Sequence, residues 1–279
     1  PKTNRELFVV GSNSIVIRKK GRWSVHPGPE LAGQFSEITG GFDAKSGSMV
    51  IYAVARNGAT NNAPVTRLYK TVNGGQSWVP ADHNLVKRNK PGAPLPEWRT
   101  IASGEKHPNV IYCSFHQLTA MDNSILAGVA KSSDFGKTWE IVWQDRQKDG
   151  KWKAAENFSK DWLNDRFGPT WGENPLCLGV SSIDPNLAIG TDFGRTIKTS
   201  NGGKTWEQVY SKQVSPGTWA STGLEVTTGY TIVFDPFDAK HVYLANTDIG
   251  LLESNDATNS WVSATKENGI PENWANTCY

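Results

Sequence analysis

"KTSNGGKTWEQV", residues 198–209, contains Gly-Gly-Lys-Thr, a string that also occurs in phosphate-binding loops. Such a loop needs another glycine five residues before the one preceding Lys-Thr. That place holds Lys198, so the spacing excludes a nucleotide cradle. The stretch matters because it recurs. Aligned on tryptophan, "TVNGGQSW" (71–78), "SSDFGKTW" (132–139), "TSNGGKTW" (199–206) and "SNDATNSW" (254–261) share Ser/Thr-x-Asp/Asn-x-Gly-x-Ser/Thr-Trp. Thr258 replaces the glycine in the last copy, and a degenerate fifth, "RKKGRW", ends at Trp23. Successive tryptophans stand 55, 61, 67 and 55 residues apart, the mark of a repeating unit with loops of variable length.

What precedes each box repeats too. "IVFDPFDAKHVYLANTDIGLLES" (232–254) matches "GVSSIDPNLAIGTDFGRTIKTS" (179–200), and "EITGGFDAKSGSMVIYAVA" (37–55) begins the same way. Each unit reads as strand A, an Asp-Pro-type turn, strand B, a turn, strand C, the box, and strand D starting at Trp. Four antiparallel strands per unit make the blade of a β-propeller. The box has a physical role as a lock on the C–D hairpin. Its Asp or Asn accepts N–H bonds from its own turn, glycine supplies a positive φ, and tryptophan covers the blade with apolar area.

On these residues the chain resembles the Asp-box, or BNR-repeat, propellers: sialidases, xyloglucanase-like glycoside hydrolases and sortilin-type receptors. The resemblance covers the whole chain as repeat architecture and implies an all-β fold of four-stranded blades with Asp-box hairpins. The expected blades span about 1–26 plus 272–279, 36–83, 98–144, 174–211 and 225–265 of one propeller domain, 1–279. The termini are in phase with the repeat. Two arrangements satisfy that phase: a five-bladed ring closed by the C-terminal strand, or part of a six- to eight-bladed ring. In the second, further blades come from a missing segment or another chain.

Composition narrows the function. Lys plus Arg is 29 against 27 Asp plus Glu, a formal net charge of +2, and no long run of like charge occurs. That disfavours a nucleic-acid footprint. No apolar run approaches the roughly 18–20 residues of a membrane span, so no membrane insertion is expected. There are 12 Trp and 27 Gly but only 2 Met, as suits many short strands and tight turns. Cys113, Cys177 and Cys278 are spaced for neither a zinc site nor a redox pair, and no metal or cofactor is expected. Asn157-Phe158-Ser159 is a glycosylation triplet of a kind that arises by chance. No signal peptide begins at Pro1, and a mature, secreted product, extracellular or periplasmic, is the expectation.

Strand alternation puts the boxes and Asp-Pro turns on one face, with the D→A segments and B–C turns on the other. The long D→A segments carry Trp98 and Arg99, Trp171 with Glu173 and Asn174, Trp219 with Glu225 and Tyr230, and Trp274. The B–C turns add His116, Gln117, Asp192, Arg195, Asn246 and Asp248. Rings flanked by carboxylates, amides and Arg suit a sugar site: pyranose faces stack while hydroxyls take fixed hydrogen bonds. Each residue also has an ordinary reading. The tryptophans can pack between blades, the two aspartates fall in matching "TDFG" and "TDIG" turns, and His116 can be a satisfied core histidine.

The leading expectation is a glycoside hydrolase acting on a poly- or oligosaccharide. It requires two carboxyl groups about 5–5.5 Å apart for retention or about 6.5–9.5 Å for inversion. Glu225 and Glu173 are the first candidates and Asp192 and Asp248 the second. The sialidase subtype that the resemblance offers needs an Arg-Ile-Pro motif, which is absent. A polysaccharide lyase, using Arg99, His116 and Tyr230 to neutralise a uronate and take its proton, is the second class. A non-catalytic glycan- or protein-binding propeller is the third.

Overall fold

The computed structural model describes residues 7–28, 34–60, 63–168, 175–223, 229–246 and 249–264. The fold is all-β, built of the antiparallel meanders of a β-propeller. Blade 1 holds β1 (Leu7–Val10), β2 (Ser14–Lys19) and β3 (Arg22–Pro27). Blade 2 holds β4 (Gln34–Asp43), β5 (Ser48–Thr60), β6 (Ala63–Thr71) and β7 (Val79–Pro80), followed by α1 (His83–Val86). Blade 3 has five strands: β8 (Glu97–Gly104), β9 (His107–Thr119), β10 (Ile125–Ser132), β11 (Glu140–Lys148) and β12 (Lys151–Lys153). After α2 (Trp162–Phe167), blade 4 runs β13 (Cys177–Val180), β14 (Ala188–Thr191), β15 (Thr196–Thr199) and β16 (Glu207–Gln208). A separate hairpin, β17 (Ser211–Ser215) and β18 (Thr218–Ser221), precedes blade 5. That blade holds β19 (Gly229–Phe234), β20 (Val242–Asn246), β21 (Gly250–Ser254) and β22 (Val262–Ser263).

Contacts divide the chain into two compact units. One comprises Pro1–Phe158, Asn174–Thr191 and Lys198–Trp206; the other comprises Ser159–Glu173, Asp192–Ile197 and Glu207–Tyr279. In the first unit, strand alternation gives blade 2 two apolar faces. Ile51 packs with Ile15 and Ile17 of blade 1, whereas Val50, Tyr52 and Val54 pack with Ile101, Ile111, Cys113 and Phe115 of blade 3. The residues alternate because successive side chains on a strand point to opposite faces. Asn157, the glycosylation candidate, is a structural clamp: its Nδ2 donates to the carbonyls of Val142, Gly203 and Lys204. Cys113 is a buried free thiol and Cys177 an exposed one; Cys278 lies outside the described residues.

Two sets of side chains latch blade to blade in this unit, each by the same rule. The Tyr52 hydroxyl donates to the Pro108 carbonyl at 2.7 Å, and the Tyr112 hydroxyl donates to that of Pro185 at 3.0 Å. Both are strand-B tyrosines reaching a proline in the next A–B connection or at the start of the strand that follows it. Box tryptophans work in the other direction. Trp139 Nε1 donates to the Ala81 carbonyl at 2.7 Å, and Trp206 Nε1 donates to that of Val142 at 3.1 Å. Ala81 and Val142 each stand three residues past the preceding box tryptophan.

Within a box the lock is a set of short side-chain bonds. In the third, the Gly203 N–H donates to Thr199 Oγ1 at 2.9 Å and the Thr205 N–H to Asn201 Oδ1 at 3.0 Å. The box glycine does more than turn the chain. Gly75, Gly136 and Gly203 have φ of +82°, +77° and +88°. A β-carbon built on them would stand 3.3 Å from His26 Cβ, 3.1 Å from Ala81 Cβ and 2.7 Å from Val142 Cβ. Glycine is thus needed twice there, for its conformation and for its small size.

Candidate functional site

The fourth box departs from this rule. Thr258 keeps the positive φ, at +72°, but is exposed where the three glycines are buried. The lock itself is intact. The Thr258 N–H donates to Ser254 Oγ at 2.9 Å and the Ser260 N–H to Asp256 Oδ1 at 2.8 Å. Hydrogen bonds from Ser260 hold the Asp256 carboxyl below the usual range. A β-branched side chain fits because this turn stands in the open. Trp261 differs accordingly. Trp139 and Trp206 are 3% and 1% exposed, whereas Trp261 is half-buried and lines a cavity. Val209, three residues past Trp206, gives its carbonyl to the Thr222 hydroxyl at 2.7 Å instead of to a tryptophan.

The β17–β18 hairpin explains where Trp261 goes. Gly217, with φ of +71°, makes its turn and brings Trp219 beside Trp261. The two tryptophans exchange both backbone hydrogen bonds, at 2.9 and 2.7 Å. Residues opposed in this way project their side chains to the same face of the pair. The third ring comes from α2. Asp161 caps this helix by accepting the Asn164 N–H at 2.6 Å, and Gly168 ends it with φ of +94°. Trp162 and Leu163 are buried with Tyr210 and Ile249, and Trp219 and Leu252 pack against them.

The resulting cavity has a volume of about 560 Å³ and is lined by Trp162, Trp219 and Trp261, with Asp165, Arg166 and Glu253 among its polar residues. Asp165 is exposed, and Arg166 lies over the Phe167 ring at 5.8 Å. Glu253 is held by His241, whose Nε2 is 2.8 Å from Glu253 Oε1 and whose Nδ1 is 3.2 Å from Asp235 Oδ2. Both ring nitrogens meet carboxylates, so the imidazolium is favoured and the His241 pKa is raised, chiefly by the bond to Glu253. Large rings with a guanidinium and carboxylates can bind a ligand with both apolar faces and hydroxyls.

Several residues singled out in the sequence have other places. Trp98 is 1% exposed, lies edge-on to Phe115 and donates Nε1 to Asp82 Oδ2 at 3.3 Å; it fills the core and offers no ring to a ligand. Asn246 is buried and donates to the Leu244 carbonyl. Asp192 is locked by Arg195 in a buried ion pair of 2.7 Å, so its carboxylate is structural. Arg99, His116 and Gln117 gather at one end of the β8–β9 pair. Glu97 stands opposite His116 in register, and Arg99 Nε donates to Glu97 Oε2 at 3.4 Å. Gln117 is exposed, with φ of +59°. Of the sequence-derived residues, Trp219 is in the cavity. The backbone of Tyr230 belongs to β19. Glu173, Glu225, Asp248, Trp171, Asn174 and Trp274 lie outside the described residues.

Trp261, Trp162, Asp165, Arg166 and Glu253 escaped the sequence reading, which assigned box tryptophans to packing. The cavity lining includes a box tryptophan, where the sequence reading looked for a site only on the opposite face. One signal was available: Thr258 in place of glycine.

The sequence matches no protein-family model and no curated protein. Among solved structures, the chain is similar to the GH74 xyloglucanase from Xanthomonas campestris, at 14% identity and a TM-score of 0.49 over 92% of this chain and 40% of that one. It is also similar to the GH74 enzyme of Niastella koreensis, at 12% identity and a TM-score of 0.45 over 94% and 40%. A third is YCF48 from Cyanidioschyzon merolae, at 11% identity and a TM-score of 0.39 over 88% and 65%. The chain spans about two fifths of the length of the two GH74 structures.

Proposed function

We propose that the chain is a carbohydrate-active propeller of the Asp-box class, most simply a secreted glycoside hydrolase, that holds a poly- or oligosaccharide against Trp162, Trp219 and Trp261. One observation carries the reading: a box tryptophan, latched to the preceding blade in the second and third boxes, here lines a cavity with two other tryptophans, a guanidinium and carboxylates. Rings supply the apolar platform for pyranose faces, and Arg166 and Asp165 supply donors and acceptors for hydroxyls. Glu225 and Glu173 are the proposed catalytic pair, on sequence grounds alone. The shared hydrogen-bond scheme of the boxes supports the class.

The test is a panel of plant and algal polysaccharides scored for new reducing ends and for ultraviolet absorbance. Hydrolysis produces reducing ends without absorbance, whereas an unsaturated product would replace hydrolysis with elimination through Arg99, His116 and Tyr230. Trp219→Ala and Trp261→Ala should each weaken binding of whichever polysaccharide binds by about tenfold or more. Glu225→Gln and Glu173→Gln should abolish turnover while keeping affinity. Binding with no turnover by the unaltered protein would leave a glycan-binding module, and no binding across the panel would sink the reading.

A further inference from the structure

Two carboxylates and one guanidinium are sealed behind α2. Asp161 and Arg195 are 0% and 1% exposed, and Asp192 is 6% exposed. Asp192 is well supplied with donors: Arg195 Nε at 2.7 Å, and the N–H groups of Gly194 at 3.0 Å and Arg195 at 2.7 Å. Arg195 also reaches the helix, donating Nη1 to Asn164 Oδ1 at 3.0 Å. Asp161 fares differently. Its Oδ1 takes the Asn164 N–H, and its buried Oδ2 has only the neighbouring Tyr210 hydroxyl to turn to. With both carboxyls ionised, two negative charges share the Arg195 guanidinium in a dry site, which is costly. One proton relieves that cost, and it belongs on Asp161, the carboxyl with fewer donors.

We propose that Asp161, Asp192 and Arg195 form a one-proton device that sets the seat of α2, and through Trp162, Asp165 and Arg166 the wall of the tryptophan cavity. Ligand capture then weakens as Asp161 ionises. This rests on the reading of the cavity as a ligand site. The groups acting on the Asp161 carboxyl are Asp192 and Arg195 from the turn after β14 and Tyr210 from the segment after β16. Asp165 and Arg166 follow on its own helix. Burial pushes the Asp161 pKa up to about 6, so the proton is held below that pH and released above it.

The device can be read without any ligand, from the indole N–H resonances of the protein followed by NMR between pH 4.5 and 8. In the unaltered chain the Trp162, Trp219 and Trp261 signals should shift together with a midpoint near 6, while Trp206 stays fixed. In Asp161→Asn, which keeps a good helix cap but cannot titrate, those shifts should vanish. Silent cavity indoles in the unaltered protein, or the same titration in Asp161→Asn, would overturn the proposal. The Asp161 carboxyl carbon provides a second measurement that needs no variant. A midpoint near 6 supports the device, and one in the ordinary aspartate range near about 3.9 overturns it. Failure of the polysaccharide panel would remove the glycan reading without moving these titrations, and loss of the titrations would leave the glycan result standing.

Discussion

The third and fourth boxes follow the same pattern of residue types and meet opposite fates. In "TSNGGKTW" the glycine abuts Val142 and the tryptophan gives its indole N–H to the same residue's carbonyl. In "SNDATNSW" a threonine stands in the open and the tryptophan pairs with Trp219 at a cavity. The backbone N–H bonds of the two locks are alike, and only the bond between the Asx side chain and the Ser/Thr hydroxyl reverses direction, so the hairpin is not what differs. What differs is whether the box is seated on a neighbouring strand. A repeat element therefore has two separable jobs, folding its own hairpin and docking, and a copy can keep the first without the second.

Tryptophan truncation should separate the two boxes most sharply. Trp206→Ala removes a buried ring from a packed slot and should cost about 3–5 kcal/mol in urea unfolding. Trp261→Ala, at a half-buried ring, should cost far less; equal losses would mean that Trp261 is a packing residue after all. Gly203→Ala should come next, at about 2–4 kcal/mol, because the new methyl group meets Val142 at 2.7 Å on a left-handed backbone. A neutral result there would remove the close-approach reading of the box glycine.

The helix behind the cavity gives a pH-dependent comparison. Folding raises the Asp161 pKa from 3.8 to about 6, so the folded state holds this proton more tightly than the unfolded one. Its contribution is fully present below about pH 4 and lost as pH rises through about 6. Relative to Asp161→Asn, the unaltered protein should lose roughly 2–3 kcal/mol across that window. Parallel stability profiles for the two proteins would remove Asp161 as a buried proton site. The smallest effect belongs to Thr258→Gly, which relieves a non-glycine residue at positive φ but loosens the unfolded chain. A change within about 1 kcal/mol of zero is expected, and a large loss would show that Thr258 makes contacts of its own.

Much of the fold was legible because the box couples three local requirements at fixed spacing: an Asx turn, a positive φ and a large apolar residue. Their recurrence sets the strand register without reference to anything distant. The site was legible only in part. Trp219 stood out as an aromatic residue in a long connection, and Thr258 marked the box that breaks the pattern. Trp98 looked identical by those criteria, yet a bulge between Trp98 and Thr100 and the pocket beside Phe115 and Asp82 place its ring in the core. Trp162 and Arg166 were missed because α2 is a helix of six residues, too short for a periodic signal.

By itself the sequence determined the box hairpins and the exclusion of a phosphate cradle, since each depends on residues within a few positions of one another. Which tryptophan packs and which meets solvent was decided only in three dimensions. That outcome depends on whether a carbonyl three residues past another box is open to an indole or already taken by the Thr222 hydroxyl. It also depends on a hairpin pairing Trp219 with Trp261 across 42 residues of chain. Local chemistry makes "TSNGGKTW" and "SNDATNSW" the same turn, and packing against distant residues makes one a latch and the other the wall of a cavity.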